Sequence, residues 1–236
     1  MFYFFYSKGV NMLKIESKIH SENLKIYKGL SKLIQGFFYA NLPITEHIGY
    51  KHSSGKILKK TNFCFSLYNG LLTIKFSALE KELEEIVAVS LLKNGLKLGE
   101  ICLVDTCVNL SDHNTNKTEL NFNGYVVCNV KSLLNKKIYL EPQDSRHLEI
   151  MKNNLLQKYE TFYGKKYNEK CEITLLSQDF ENYKKFYYGN NVNYMKAWLA
   201  TWNIKASNEL INLALSTGLG AGVMSYGCGF VEEIKA

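Results

Sequence analysis

Two α+β domains, each an antiparallel sheet with helices on one face, are predicted by three observations. The strand and helix patterns of the first half run strand, helix, strand, strand, helix, strand; the second half begins again with a strand and repeats that outline; and a stretch without periodicity, residues 111–124, rich in Asn, Asp and Thr, reads as the connection between them. A chain of 236 residues divided in this way leaves each half large enough to bury its own core.

Residues 12–19 alternate as a strand. The preceding residues, 1–11, are expected to be a disordered extension or a start-site artefact, so the first domain is set at 12–118. A helix is predicted from Asn23 to Tyr39, where Ile26, Leu30, Leu33, Ile34, Phe37 and Phe38 recur at helical spacing and Lys25, Lys28 and Lys32 occupy another face. Pro43 interrupts the chain, and a short polar stretch and a lysine-rich loop follow. Strands at Phe63–Tyr68 and Leu71–Leu79 are joined by Asn69-Gly70, a strong hairpin signal. A helix from Glu80 to Lys93 closes at Asn94-Gly95 and leads to a strand over Lys97–Leu110. This βαββαβ order is ferredoxin-like. The second domain, set at 119–236, begins with a strand at Tyr125–Val130. A helix over Ser145–Phe162 follows the start signals Pro142 and Asp144, and strands are expected at Cys171–Leu176 and Met195–Ala206. The last helix, Asn208–Thr217, is capped by Ser207 and ended by Gly218, ahead of a short strand near Phe230-Val231.

Composition excludes several classes. No window approaches the roughly 18 apolar residues of a spanning helix, and the apolar run at residues 2–6 is too short for a signal-peptide core, so a cytoplasmic protein with no membrane partner is expected. Six cysteines without a CxxC pair suggest reduced core thiols rather than zinc or disulfides, and neither a metal nor a cofactor is expected. The net charge of +7 is almost wholly lysine, since Arg146 is the single arginine. Lysine suits point contacts to phosphate, which admits a nucleic-acid partner without requiring one.

Five glycines fall within Gly218–Phe230. Glycine permits positive φ and close approach of backbone amides to phosphate. A dinucleotide fingerprint is excluded, because Val223 holds the third glycine position and a helix precedes the segment. A P-loop is excluded by Cys228 and Gly229 where Lys and Ser or Thr are needed.

Here the sequence resembles a known family. The form helix, Gly218-Leu219-Gly220, about six residues, Gly227-Cys228-Gly229-Phe230 is similar to the signature of the CRISPR-associated repeat-processing endoribonucleases, the sixth Cas proteins of the RAMP group. Asn154-Leu155 with Lys158-Tyr159 resembles that family's Asn-Leu-x-x-Lys-Tyr helix, and Tyr139-Leu140 with Pro142 lies before it. His47-Ile48-Gly49-Tyr50, a lysine-rich loop and Phe63-Cys64-Phe65-Ser66 resemble its histidine-x-x-glycine-aromatic, basic loop, Phe-x-Phe-Ser sequence. The resemblance spans nearly all of residues 12–232. It implies tandem ferredoxin-like domains and a site-specific cut in CRISPR repeat RNA; other effector subunits and a homodimer are further candidate partners.

Without metal, RNA is cleaved when its 2′-OH attacks the adjacent phosphate, which needs a proton acceptor, a proton donor and cationic support. Histidine suits the proton transfers. His47 is the expected catalytic histidine, as general acid or as shared acid and base, with His52 its rival. The resemblance places a phosphate-steadying cation near Lys59 and Lys60, of which Lys60 is favoured. Some family members complete the site with a tyrosine on the first helix; counting back from His47 lands on Lys32, while Tyr39 lies two turns further on, so Lys32 is assigned to phosphate or transition-state support. Lys51, His52, Lys56, Lys59, Gly218, Gly220, Gly222, Ser225, Gly227 and Gly229 are expected to bind RNA. His20, His113 and His147 are left structural or exposed. Lys165, Lys166, Tyr167, Lys170, Tyr183, Lys184, Lys185, Tyr187 and Tyr188 interleave cations and aromatics, either as a surface that stacks unpaired bases or as a hairpin with one packed face. Two rivals remain: a non-catalytic RNA-binding subunit of a CRISPR effector complex with the same fold, and an unrelated small-molecule or regulatory domain pair.

Overall fold

The computed structural model describes residues 11–19, 29–103, 105–188 and 194–234. The elements are β1 (Asn11–Lys18), α1 (Leu30–Asn41), α2 (Ile44–Ile48), β2 (Tyr50–Lys51), β3 (Ile57–Leu58), β4 (Thr61–Tyr68), β5 (Leu71–Ala78), α3 (Lys81–Asn94), β6 (Leu96–Leu98), β7 (Ile101–Leu103) and β8 (Cys107–Asp112). They continue as β9 (Glu119–Tyr125), β10 (Asn129–Lys131), β11 (Lys137–Tyr139), α4 (Ser145–Tyr163), β12 (Glu172–Tyr187), β13 (Tyr194–Lys205), α5 (Asn208–Thr217), α6 (Val223–Tyr226) and β14 (Val231–Glu233).

Two four-stranded antiparallel sheets carry the fold, in the orders β4-β5-β1-β8 and β12-β13-β9-β14. Among each sheet's strands the second, third, first and fourth in chain order lie side by side, so both halves are ferredoxin-like. Strand β1 is central, paired with β5 and β8, and its Leu13 and Ile15 are fully buried in the first core. In α1, Leu30, Ile34 and Phe38 share one stripe and pack on Phe63 and Phe76; the Phe38 and Phe76 rings stack at 4.4 Å. The second core gathers Leu120, Phe122, Leu155, Trp202, Ile204 and Leu213 around α4 and α5. Asp144 caps α4 by accepting from the Arg146 N–H at 3.0 Å, and Ser207 caps α5 through the Leu210 N–H at 3.4 Å.

Several expectations are corrected. Residues 119–125 form a strand rather than the end of a connection: Leu120 and Phe122 are buried while Glu119, Asn121 and Asn123 face out, an alternation hidden by the polar composition. The predicted strand at 125–130 is therefore β9's last residue, a buried link at 126–128, and the start of β10. The strand predicted over 97–110 is cut by Gly99, whose φ of +67° turns β6 back on β7. Strand β12 continues to Tyr187 instead of stopping at Leu176, with an irregular register between Gln178 and Tyr183. The lysine-rich loop contains α2 and the β2–β3 hairpin, and the glycine-rich segment contains α6. Cys102 and Cys107 are exposed, not core thiols. The expectation for residues 1–10, the start of the first helix before Gly29, and His20 lie outside the described residues. Among the described residues, no helix is long and apolar enough to cross a membrane.

The glycine-rich segment joins the two halves. Met224 on α6 inserts into the first core, and its carbonyl accepts from Gln35 of α1 at 2.8 Å. At the start of the segment, the Ser77 hydroxyl of β5 reaches the carbonyl of Ser216 at 3.0 Å.

Candidate RNA-processing site

His47 lies on α2, a single turn that Pro43 starts and Gly49 ends. Its ring stacks on Tyr39 of α1 at 4.5 Å, and its Nε2 meets the Tyr39 carbonyl. A carbonyl only accepts, so Nε2 carries the hydrogen and Nδ1 is the unprotonated nitrogen of the neutral ring. Lys59 fixes the same turn from the other side: its ammonium donates to the carbonyls of Glu46 at 2.8 Å and His47 at 2.5 Å, and lies 5.3 Å from the Tyr39 ring centre. Burial pulls the Lys59 ammonium below its usual range and pushes the Tyr39 phenol above its own, with the Gln35 side chain opposing the latter.

Lys60, the favoured cation, points elsewhere. It pairs with Glu80 and lies 4.6 Å from the Tyr50 ring centre, while the Tyr50 hydroxyl donates to the buried Glu46 at 2.8 Å. Burial would lower the Lys60 ammonium, but Glu80 and Tyr50 outweigh it and the net shift is upward. Lys59 and Lys60 occupy the two-residue link between β3 and β4, where the ammonium of Lys59 reaches the His47 turn and that of Lys60 pairs with Glu80. Lys32 is also separate: it lines a cleft with Leu33, Gly36 and Asn94 whose walls do not include His47. By helix rise it sits about 10 Å along α1 from Tyr39. The structure brings together His47, Tyr39 and Lys59, so Tyr39, which the count from His47 passed over, is the aromatic partner. The missed signal was α2, which turns the chain back onto the last turn of α1.

His52 is engaged within the protein. Its Nδ1 accepts the Ser54 N–H at 3.1 Å and its Nε2 lies 3.5 Å from Glu160. Lys51 is exposed on β2.

Lys56, Lys59, Asn154, Lys158, Gly220, Gly222 and Ser225 line one cleft of about 330 Å³ between the β2–β3 hairpin, α4 and the glycine-rich segment. Asn154, with its amide oriented to satisfy both neighbours, donates to the Gly220 carbonyl at 3.2 Å and accepts from Lys56 at 3.2 Å. One turn on, the buried Lys158 ammonium donates to the carbonyls of Thr217 at 2.7 Å and Gly218 at 2.6 Å, closing the end of α5. Burial pulls its pKa down to about 7. Gly227 and Gly229 line a different cleft, between the sheets, with Lys75, Lys184 and Tyr125; Gly218 lines neither.

The glycines have a packing role besides the phosphate contact expected of them. A Cβ at Gly220, where φ is +75°, would come 2.5 Å from the Val127 carbonyl oxygen, and one at Gly229, where φ is +78°, would overlap the Leu219 carbonyl. At Gly218, Gly222 and Gly227 the space is likewise filled by the protein, by Asn62, Met195 and Phe63. These positions need glycine to fold the segment, of which residues 220–225 border the lysine cleft.

His113 is stacked on Phe230, and His147 is fully buried with Nδ1 3.1 Å from the Leu140 carbonyl; burial lowers the pKa of both. Both are structural. Among the described residues no three His, Cys, Asp or Glu side chains converge as a metal site.

Residues 124–233 match the family described as CRISPR associated protein Cas6, C-terminal. No curated protein sequence matches the chain. Solved structures share its fold from end to end. A Cas6-related protein from Pyrococcus furiosus has a TM-score of 0.71 at 16% identity, covering 96% of this chain and 99% of its own. A CRISPR associated protein Cas6 gives 0.68 at 19% identity over 96% and 99%. A RAMP protein described as binding different RNA substrates gives 0.69 at 12% identity over 96% and 100%. Residues 124–233 thus match the C-terminal domain family of CRISPR associated protein Cas6, and they do so inside a fold that 96% of the chain shares with solved Cas6 structures.

Proposed function

We propose that the chain is an endoribonuclease that processes CRISPR RNA, cutting within the repeat of the primary transcript without a metal ion. The observation that carries this reading is His47, its tautomer set by the Tyr39 carbonyl and its turn held by Lys59, which also lines the cationic cleft. In the reaction the 2′-OH loses its proton, the 2′-oxygen bonds to phosphorus, the bond to the 5′-oxygen breaks and that oxygen takes a proton. The products are a 2′,3′-cyclic phosphate and a 5′-OH. His47 Nδ1 is the free site for these proton transfers, because Nε2 is committed to the Tyr39 carbonyl. Tyr39 is a poor base at neutral pH, since burial holds its phenol protonated; it orients the imidazole. Lys59 and Lys56 supply positive charge beside the backbone at 220–222, where phosphate can lie.

Single-turnover cleavage of a repeat transcript in EDTA tests this. Cleavage is expected to persist, to leave the cyclic phosphate, and to fall about 100-fold or more in His47→Ala while RNA affinity holds. His52→Ala should lose far less. Activity lost in EDTA and restored by magnesium would remove the mechanism, and a larger loss in His52→Ala would remove the assignment. If His47→Ala cuts at the parent rate, the chemistry lies elsewhere.

A further inference from the structure

One feature of the interleaved cation and aromatic segment is resolved by the β12–β13 register. Tyr183 lies opposite Trp198, Lys185 opposite Lys196 and Tyr187 opposite Tyr194. The three pairs share one face of the hairpin, because each is two residues from the next. They form a ladder: an aromatic rung, a lysine rung, an aromatic rung. Lys196 sits 4.3 Å from the ring centres of both Tyr183 and Trp198, Lys185 sits 5.0 Å from Tyr194, and the Tyr187 and Tyr194 rings lie 5.7 Å apart. On the other face Phe186, Met195 and Ala197 are buried; on the ladder face Trp198 is buried beneath Lys196, and the outer rings remain open. Tyr183 and Tyr194 keep 46% and 37% of their surface in solvent. No acidic residue occurs in 183–187 or 194–198.

The ladder leads to the candidate site. The Tyr187 carbonyl accepts from Ser31 of α1, and the next residue, Tyr188, donates its hydroxyl to Gln35 of α1 at 2.8 Å. Gln35 is one helical turn before Tyr39, on which His47 stacks. The aromatic rungs are about 13 Å apart, four residues along a strand, with the lysine pair midway. Rings at the ends and cations between suit unpaired nucleotides whose bases stack while the intervening phosphates meet charge.

We propose that this ladder is a stacking track for unpaired RNA running to or from the His47 site. Tyr183 and the Tyr187–Tyr194 pair take bases, and Lys185 and Lys196 take the phosphates between them. The inference rests on the RNA-processing reading for the class of ligand, and its test does not depend on cleavage.

The probe is a twelve-nucleotide oligo(A) carrying 2-aminopurine, titrated into the full chain. Parent protein should bind it and quench the fluorescence. Tyr183→Ala with Tyr194→Ala should weaken binding tenfold or more, the scale of a lost base–aromatic contact, and abolish quenching. Tyr183→Phe with Tyr194→Phe should keep both, because stacking needs the ring and not the hydroxyl. Melting curves establish folding; if the alanine pair does not fold, Lys185→Gln with Lys196→Gln must flatten the salt dependence of oligo(A) binding. Parent protein that does not bind or quench oligo(A), a folded alanine pair that binds like the parent, a phenylalanine pair that fails like the alanine pair, or an unchanged salt slope each overturns the track. Unchanged RNA binding in the alanine pair is also the outcome a protein-docking face would give. Loss of repeat cleavage with oligo(A) quenching intact would remove the catalytic reading and leave the track standing.

Discussion

Replacing Gly229 by alanine tests whether the glycine-rich segment is shaped by the protein's own packing. At φ of +78° an L-residue costs about 1–2 kcal/mol. The new Cβ would also overlap the Leu219 carbonyl and lie 2.7 Å from Val223 Cγ1. Because Leu219 donates its N–H to the Gly229 carbonyl at 2.8 Å, this backbone pair cannot part without losing a bond, and overpacking of this kind adds about 1–3 kcal/mol. The total, about 2–5 kcal/mol, is a large share of the 5–15 kcal/mol that a domain typically has. For a chain of this size it should lower Tm by about 10 °C. Two controls divide the effect. Gly164 has φ of +69° with nothing within 4 Å, so Gly164→Ala carries only the backbone cost, about 1–2 kcal/mol and a few degrees. Gly36 lies inside α1 with open space around it, so Gly36→Ala should stabilise by about 1 kcal/mol. Differential scanning calorimetry of the three variants reads the order directly. If Gly229→Ala melts with Gly164→Ala, the packing account of the segment is wrong.

Further outcomes follow from the site. Lys59→Met should slow single-turnover cleavage more than Lys60→Met, because Lys59 holds the carbonyl of His47 whereas Lys60 is paired with Glu80; the reverse order of rates would restore Lys60 to the site. Lys158 is protonated in the unfolded chain up to its ordinary pKa of 10.5 but in the folded chain only to about 7, so between these values the unfolded state holds more protons and stability rises with pH. Urea melts at pH 7, 8 and 9 should show the parent gaining on Lys158→Met by up to about 1.4 kcal/mol per pH unit; parallel pH profiles would mean that the ammonium is not buried as described. His147, whose folded pKa lies below its usual 6.5, favours the unfolded state as acid protonates it there first. His147→Phe should therefore lose less stability than the parent between pH 6.5 and 5, and an equal loss in both would place the acid sensitivity elsewhere.

Local pattern was enough for the elements whose signals are local. Asn69-Gly70 takes positive φ at both residues, +49° and +75°, and joins β4 to β5 as its composition requires. Helices α3, α4 and α5 end or begin at the residues that cap them, and the order of elements alone implied two ferredoxin-like halves. Strand β9 was obscured because asparagine dominates its outward face, although Leu120 and Phe122 mark the inward one. His47 is a candidate that the resemblance and its neighbouring basic loop put forward. Its partners could not be read there. Tyr39 and Lys59 meet it only because the five-residue α2 folds back on α1 and against the short link between β3 and β4 that carries Lys59. The glycines were visible as a cluster, but only the folded chain shows their missing side-chain space filled by Asn62, Val127, Met195, Phe63 and Leu219. Sequence determined which residues can turn, cap or alternate, since those preferences act over a few bonds; tertiary structure decided which side chains share a site, since that depends on contacts between segments tens to hundreds of residues apart.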